Sequence, residues 1–281
     1  MPILEVKNLK YKYDKYDESA KYALDDISFS IEEKDFVALI GESGSGKSTL
    51  ISHLNGLYKA DSGEILFKGE NIYDKNYNIT NLRFKCGIVF QYPEYQLFSE
   101  TVLDDVAFGA IKKGLSKEEA YNKSMEVLKL LGIEHLKDEM PFNLSGGEKR
   151  KVAFAGVFVM EPDILIFDEP DAGLDPTSKL HFYRLIKSLN KEFGTTIIYI
   201  THNLDDVIEY ADKVIVLNEG KIVNIGKPYE VLSDKKTMTE ANLDLPYAVD
   251  ICEVVKSKGY KIDETKLKFD ELVESLSNLY D

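Results

Sequence analysis

The sequence has no tryptophan, only two cysteines and no long apolar run. Its continuous apolar stretches, such as "FVALI" at 36–40 and "TIIYI" at 196–200, fall far short of the roughly 18 residues that a bilayer-spanning helix needs. A helical membrane protein is thereby excluded. The opening "MPILEVKNLK" has no basic segment followed by an apolar one, so no secretory leader is read there and the cytoplasm is the expected location. Cys86 and Cys252 stand in apolar surroundings without metal-ligand spacing, and buried thiols are expected rather than a disulfide or a zinc site. Positive charge is scarce too. Thirty-five Lys and Arg against 49 Asp and Glu leave a net charge of −14, which argues against broad nucleic-acid binding. Internal repeats and low-complexity linkers are also missing.

What is present is a chain of 281 residues, long enough for one large core and a small appended unit. The segments "PILEVKNLKYKY" and "ALDDISFSIEEKDFVALIG" alternate apolar and polar residues and read as strands, the last run being a buried strand that ends at Gly41. "STLISHLNGL" follows as a helix ending near Gly56. From about residue 92 to 160 the pattern is mostly helical. Its clearest helix has Ser116 as cap, Glu119 completing a capping box, and Gly132 as stop. Buried strands return at "ILIFD" and "TTIIYITH", separated by a helical segment, the alternation of parallel βαβ units. A hairpin is predicted to turn at Glu219 and Gly220. Beyond Pro228 the chain reads as short helices, with Pro246 in a first turn, Gly259 as a stop, and an amphipathic "FDELVESLSNLY".

"GESGSGKST", Gly41 to Thr49, matches G-x-x-x-x-G-K-[ST] between a strand and a helix, as a phosphate-binding loop requires. Gly41, Gly44 and Gly46 allow backbone N–H groups to approach phosphate oxygens, with Glu42, Ser43 and Ser45 between them. Lys47 supplies a point charge, and Ser48 a hydroxyl for Mg²⁺. The expected ligand is a nucleoside triphosphate. Asp168 ends the strand "ILIF" at the edge where parallel sheets bind ligands, and is the natural Mg²⁺ partner. Glu169 follows and is the candidate to polarise the attacking water, the alternative being a solvated acidic loop. His202 closes another buried strand at the same edge, placed either for a γ-phosphate contact or for a structural hydrogen bond.

A second anion cradle stands in "LSGGEKRKVAFAGV", Leu144 to Val157. Ser145 and Glu148 have capping-box spacing. Gly146 and Gly147 leave bare backbone at the helix start, and Lys149, Arg150 and Lys151 oppose the macrodipole there by about 0.3–1 kcal/mol each, which a nearby anion would offset.

Together, "LSGGE", the phosphate loop, "ILIFDEP" and "TH" resemble the nucleotide-binding subunits of ABC transporters, over nearly all of the chain up to about Gly226. The resemblance implies an α/β fold: a P-loop NTPase core with an N-terminal antiparallel β subdomain, an α-helical insertion and a small C-terminal helical extension. The ATPase domain would span 1–227 and the extension 228–281. It implies ATP with Mg²⁺, and a head-to-tail dimer in which the signature segment of one subunit covers ATP held by the other. Residue by residue, it implies that Tyr13 stacks on adenine, although a strand tyrosine packing on its own sheet reads the same. Gln91 would reach Mg²⁺ and the water, and Asp175 would lie at the dimer seam. Asp171 departs from the Thr or Ser usual after "DEP", which puts hydrogen bonding in that loop in doubt.

More narrowly, "FQYPEYQLF", "TVLDDVAFG", "MEPDILIFDEPDAGLDP" and the tail "LPYAVDICEVVKSKGYKI" are similar to A subunits of energy-coupling factor transporters, the second type in particular. That implies an importer of vitamins or transition metals, with a membrane T subunit and a substrate-binding S subunit as partners, no nucleic acid, and a peripheral place on the cytoplasmic face of the membrane. Tyr95, Leu97 and Phe98 become candidates for a groove receiving T-subunit helices, or for ordinary packing. A conventional ABC transporter ATPase and a soluble ABC-type ATPase outside transport are the alternatives.

Overall fold

The computed structural model describes residues 1–17, 19–263, 265 and 267–278. Strand β1 (Leu4–Tyr11) buries Leu4, Val6 and Leu9. The break in its alternation falls where the register with β2 (Leu24–Ile31) shifts and Asn8 takes φ 47°. β3 (Phe36–Ile40) is buried throughout and delivers the chain through the glycine loop into α1 (Lys47–Leu54), with Gly56 left-handed just beyond its end. Next come β4 (Ser62–Phe67), β5 (Glu70–Asn71), α2 (Ile79–Lys85) and β6 (Cys86–Val89). The helices α3 (Val102–Lys113), α4 (Lys117–Leu130) and α5 (Gly146–Phe158) follow, with two short 3₁₀ turns between α4 and α5. Both expected capping boxes form, Ser116 with Glu119 and Ser145 with Glu148.

The chain then alternates through β7 (Ile164–Asp168), α6 (Pro176–Phe193), β8 (Thr196–Ile200), α7 (Leu204–Tyr210) and β9 (Lys213–Asn218). The hairpin to β10 (Lys221–Gly226) turns on Glu219 and Gly220 at φ 44° and 73°, the paired positive φ of a type I′ turn. Among the described residues beyond β10 the helices are α8 (Pro228–Leu232), α9 (Lys235–Glu240), α10 (Tyr247–Ser257) and α11 (Phe269–Ser277). Pro246 is the cap of α10 rather than part of its first turn. The end of the amphipathic run predicted there, Leu279 and Tyr280, lies outside the described residues.

Two sheets result. One is antiparallel, in order β2-β1-β4-β5; the other has order β10-β9-β3-β8-β7-β6, parallel except for β10. The parallel sheet is covered on both faces, which is why its strands read as unbroken apolar runs. Val37, Leu39, Ile166 and Ile198 face α1 and the antiparallel sheet, while Ala38, Leu165, Phe167 and Tyr199 face α3 to α7 and the C-terminal helices. β4, β5 and β6 were not legible as strands. "SGEILF" lacks alternation, and the four residues of "CGIV" follow a helix directly, too short a run to distinguish from its neighbour. Cys86 and Cys252 are both buried thiols, and burial pushes Cys86 up to about 12. Among the described residues no helix is long and apolar enough to cross a membrane.

Under the glycine loop, α1 buries His53 completely. Its Nδ1 lies 2.8 Å from the Thr49 carbonyl, its Nε2 has no hydrogen-bond partner, and the rings of Tyr11 and Tyr58 pack edge-on against it. Burial therefore holds its pKa below the ordinary histidine value. Because the folded pKa is depressed, the unfolded chain takes up a proton first as pH falls through about 6.5, and stability falls with it. Between about pH 7 and pH 5.5 wild type should lose more stability than His53→Phe, by up to about 1 kcal/mol, read as the difference between their urea-unfolding free energies at the two pH values. Parallel pH profiles would show that folding does not depress the His53 pKa.

Candidate nucleotide site

Each cradle glycine answers to a specific constraint. A Cβ on Gly41 would stand 2.1 Å from the Leu217 carbonyl oxygen, and one on Gly46 2.6 Å from that of Ala23. These two glycines let the loop pass against its own protein. Gly44, at φ 81°, has nothing within 4 Å of its Cβ position and faces open space where a phosphate can approach. Lys47 folds back over the loop, its Nζ donating to the Gly41 and Glu42 carbonyls at 2.8 and 2.9 Å. Burial lowers its pKa, and the charges of Glu169, Asp168 and Glu42 oppose that drop. Ser43 is exposed, Ser45 is buried with its hydroxyl unpartnered, and Ser48 is exposed at the start of α1 beside Asp168. Thr49 Oγ1 is 2.7 Å from the Tyr13 hydroxyl. Tyr13 lies beyond the end of β1 and is 63% exposed, with its ring edge-on to Tyr11 of β1 at 5.2 Å and to Tyr58 at 6.2 Å, so it touches its own sheet at one side and leaves most of its surface open.

The parallel ladder brings the remaining candidates to the same edge. Val89 pairs with Phe167 and Asp168 with Ile200, while Ile200 also opposes Leu39. Residues two positions beyond these pairings are Gln91, Glu169 and His202. Gln91 Nε2 donates to Glu169 Oε2 at 2.7 Å, and His202 Nε2 lies 2.9 Å from Glu169 Oε1. Each carboxylate oxygen of Glu169 thus has one partner and a lone pair to spare. Glu169 is also backbone-strained at φ 48°, a conformation costing about 1–3 kcal/mol. Burial pushes the Asp168 carboxyl above its ordinary range, Glu169 adds to the rise, and Ser48, Lys47 and His202 oppose it.

The second cradle is elsewhere. Ser145 caps α5, and the Cβ positions of Gly146 and Gly147 meet nothing within 4 Å. Ser145, Gly147 and Glu148 line a cleft of about 540 Å³ with Leu174, Ser178 and His181. No residue of Gly41 to Thr49 lines that cleft; Glu42 to Ser45 line another, of about 570 Å³, together with the β9–β10 hairpin. Leu144 packs against the core. Two of the three cations near the start of α5 are held by carbonyls within the chain. Arg150 donates to the carbonyls of Pro170 and Ala172 at 3.0 Å each, and Lys151 to that of Leu131 at 3.3 Å. Both side chains are thus directed to backbone carbonyls of the same chain, which leaves their charge in place but fixes where they point.

Asp175 caps α6, accepting from the N–H groups of Thr177 and Ser178 at 3.0 and 3.1 Å. Asp171 forms an ion pair with Lys179 at 3.3 Å, so the loop is anchored by charge where hydroxyl bonding was in doubt. Of the groove candidates, Leu97 is buried in the core, whereas Tyr95 is 84% exposed and Phe98 57% exposed, its ring edge-on to Phe108 at 4.8 Å. The sequence reading missed Arg150 as a clamp, Lys179 as a bridge, and Asn242, whose Nδ2 donates to Glu42 Oε2 at 3.2 Å. Of these, only Lys179 carried a signal, standing four residues after a helix-capping aspartate and so one turn into the helix. The extension and the catalytic edge together enclose a cleft of about 1100 Å³, lined by Glu169, His202, Asn242 and Tyr247 among others.

A family model described as ABC transporter matches residues 24–172. Among curated relatives, an "Energy-coupling factor transporter ATP-binding protein EcfA2" of Clostridioides difficile (strain 630) is 45% identical over 274 residues, covering 96% of this chain and 95% of that protein. Among solved structures, cbiO1 from Clostridium perfringens, described as part of the ABC transporter complex cbiONQ, has a TM-score of 0.75 at 43% identity, over 90% of this chain and 99% of that one. A dimeric ATP-binding cassette in a post-hydrolysis state, bound to ADP and Pi, has a TM-score of 0.69 at 29% identity, over 80% of this chain and 98% of that one. With a phosphate loop, an edge carboxylate pair and a signature helix in one α/β fold, and with such identity over nearly its whole length, the chain belongs to the ABC transporter ATPases, among the energy-coupling factor transporter ATP-binding proteins, and binds and hydrolyses ATP.

Proposed function

We propose that this chain is a motor subunit of an energy-coupling factor importer, comprising an ATPase domain at 1–227 and a helical extension at 228–281. It pairs with a second ABC ATPase, identical or homologous. Held at the cytoplasmic face of the membrane through a T subunit, it powers uptake of a vitamin or transition-metal ion bound by an S subunit. The observation that carries this reading is that the second cradle, Ser145 to Glu148 at the start of α5, opens on a cleft that no residue of the phosphate loop lines. One chain holds half of each of two sites, and head-to-tail pairing completes both.

In this reading the phosphates of ATP lie against the backbone from Gly41 to Thr49, and the adenine lies on the exposed ring of Tyr13. The Lys47 ammonium exchanges two carbonyl contacts for phosphate oxygens, which bind it more strongly because both partners are charged. Mg²⁺ fits the donor set. Ser48 offers a hydroxyl and Asp168 a carboxylate, and the Gln91 amide, its N–H committed to Glu169, has its carbonyl oxygen left for a hard cation. Among the described residues no cluster of three His, Cys, Asp or Glu could hold a metal alone, as expected where nucleotide phosphates supply the remaining ligands. When bound, the ion would neutralise charge on the terminal phosphates. Glu169 takes the proton of the attacking water, His202 fixes Glu169 and reaches the γ-phosphate, and the Leu144–Glu148 segment of the second subunit closes the pocket. Exposed Tyr95 and Phe98 supply part of the surface for the T subunit.

Glu169→Gln should bind ATP normally, lose about a hundredfold or more in turnover, and accumulate as a closed dimer, seen by phosphate release and size-exclusion chromatography with ATP. Wild-type turnover in that variant would remove Glu169 from the mechanism. Ser145→Tyr should abolish turnover while the isolated chain still binds ATP with wild-type affinity in equilibrium titration. Loss of that binding would mean that one chain forms the whole site by itself.

A further inference from the structure

Glu169 and His202 are 2.9 Å apart but come from separate loops, one after β7 and one after β8. Few groups span the two loops. The Glu169 N–H donates to the Ile200 carbonyl at 3.2 Å, a backbone tie near the strand ends. Arg150 grips the Pro170 and Ala172 carbonyls from α5, and touches only the first loop. Lys179 reaches both. Its ammonium pairs with Asp171, two residues after Glu169, at 3.3 Å, and with Asp206, four residues after His202 in the first turn of α7.

The three side chains are largely withdrawn from water, at 22% exposure for Lys179, 14% for Asp171 and 15% for Asp206. Two carboxylates in such a place repel each other strongly unless a cation stands between them. The ammonium therefore does more than neutralise charge. It converts a repulsion that would part the two loops into a bridge that sets their separation. Tyr183, one turn further along α6, backs the ammonium with its ring at 6.0 Å, so the cation is mounted on a rigid helix whose N-terminus Asp175 caps.

We propose that Lys179 is a positioning residue for ATP hydrolysis, holding the Glu169 loop and the His202 loop at a fixed separation through its ion pairs with Asp171 and Asp206. This rests on the reading that Glu169 and His202 act on ATP. Lys179 touches neither nucleotide nor water in this role. Its removal should slow the chemical step without weakening ATP binding, because Tyr13 and the Gly41–Thr49 cradle do not depend on it.

The test uses the full-length chain as its ATPase-active dimer. Lys179→Met should lower kcat by about tenfold to a hundredfold, the scale of loss that follows from misplacing a catalytic group by about 1 Å, with KM and the equilibrium affinity for ATP within about twofold of wild type. Lys179→Arg, which keeps the charge, should restore kcat to within about threefold of wild type. Lys179→Met strands two buried acids and can impair folding. The triple variant Lys179→Met, Asp171→Asn, Asp206→Asn removes all three charges together, and should fold while remaining as slow as the single variant. Wild-type kcat in either the single or the triple variant overturns the proposal, as does a parallel loss of ATP affinity or failure of arginine to rescue. Glu169→Gln measured alongside separates the two readings. If it is inactive while Lys179→Met is unimpaired, only the bridge falls; if it turns over normally, the assignment beneath the bridge falls as well.

Discussion

The site depends on the register of the parallel ladder that joins β3, β8 and β7. Leu39 opposes Ile200 and Ile200 opposes Asp168, so three strands end together and their following residues share one edge. Strand β6 joins the set by pairing Val89 with Phe167, which places Gln91 level with Glu169. A slip of one residue in any strand would reverse its side chains between two buried faces. On one face Leu39 and Ile166 meet α1 and the antiparallel sheet; on the other Ala38 and Phe167 meet the helices. The apolar core thus sets the register, and the register sets the distances among Gln91, Glu169, His202 and the phosphate loop.

What the ladder brings close it also leaves under tension. Glu169 sits at positive φ and Asp168 is buried beside it with a raised pKa, while Lys47 is buried with a lowered one. Opposite charges are poised near one another without a direct ion pair between Lys47 and either acid, because the ammonium instead holds two loop carbonyls. A triphosphate with its counterion supplies the charge that both sides lack. Sites of this kind keep strained and partly unsatisfied groups in place through the rigidity of what surrounds them, and here the surroundings are fully buried strands.

The strand-loop-helix unit at Gly41, the edge carboxylates and both capping boxes were legible because each rests on local rules: a glycine pattern, a buried run ending in an acid, a Ser–x–x–Glu spacing. The hairpin at Glu219 and Gly220 was legible for the same reason. β6 was not, although it carries Gln91 to the site, because four residues give no period to count. Arg150 and Lys151 misled because composition shows charge but not direction. Their partners, the carbonyls of Pro170, Ala172 and Leu131, are about 20 residues away along the chain and adjacent only in the fold. The same blindness hid Lys179 between Asp171 and Asp206.

The C-terminal extension extends the same logic. Asn218 donates to the Glu240 carbonyl at 2.7 Å and Asn224 to Thr237 Oγ1 at 2.9 Å, so the β9–β10 hairpin fixes the base of the extension by side-chain amides. Asn242, at φ 54° in the turn after α9, then reaches Glu42 in the phosphate loop. Met238, Ala241, Ala248 and Val249 are buried in the core shared with β9 and α7. Burial of those side chains stabilises the docked position by about 1.5–3 kcal/mol for each large one. A single polar contact to the exposed Glu42 side chain could not do so, being worth about 1 kcal/mol net. The core therefore holds the extension, and the bond from Asn242 to Glu42 follows from where that core puts it. Any displacement of Glu42 by an incoming triphosphate would break a weak bond at the end of a firmly anchored segment, leaving the extension in place while the loop moves.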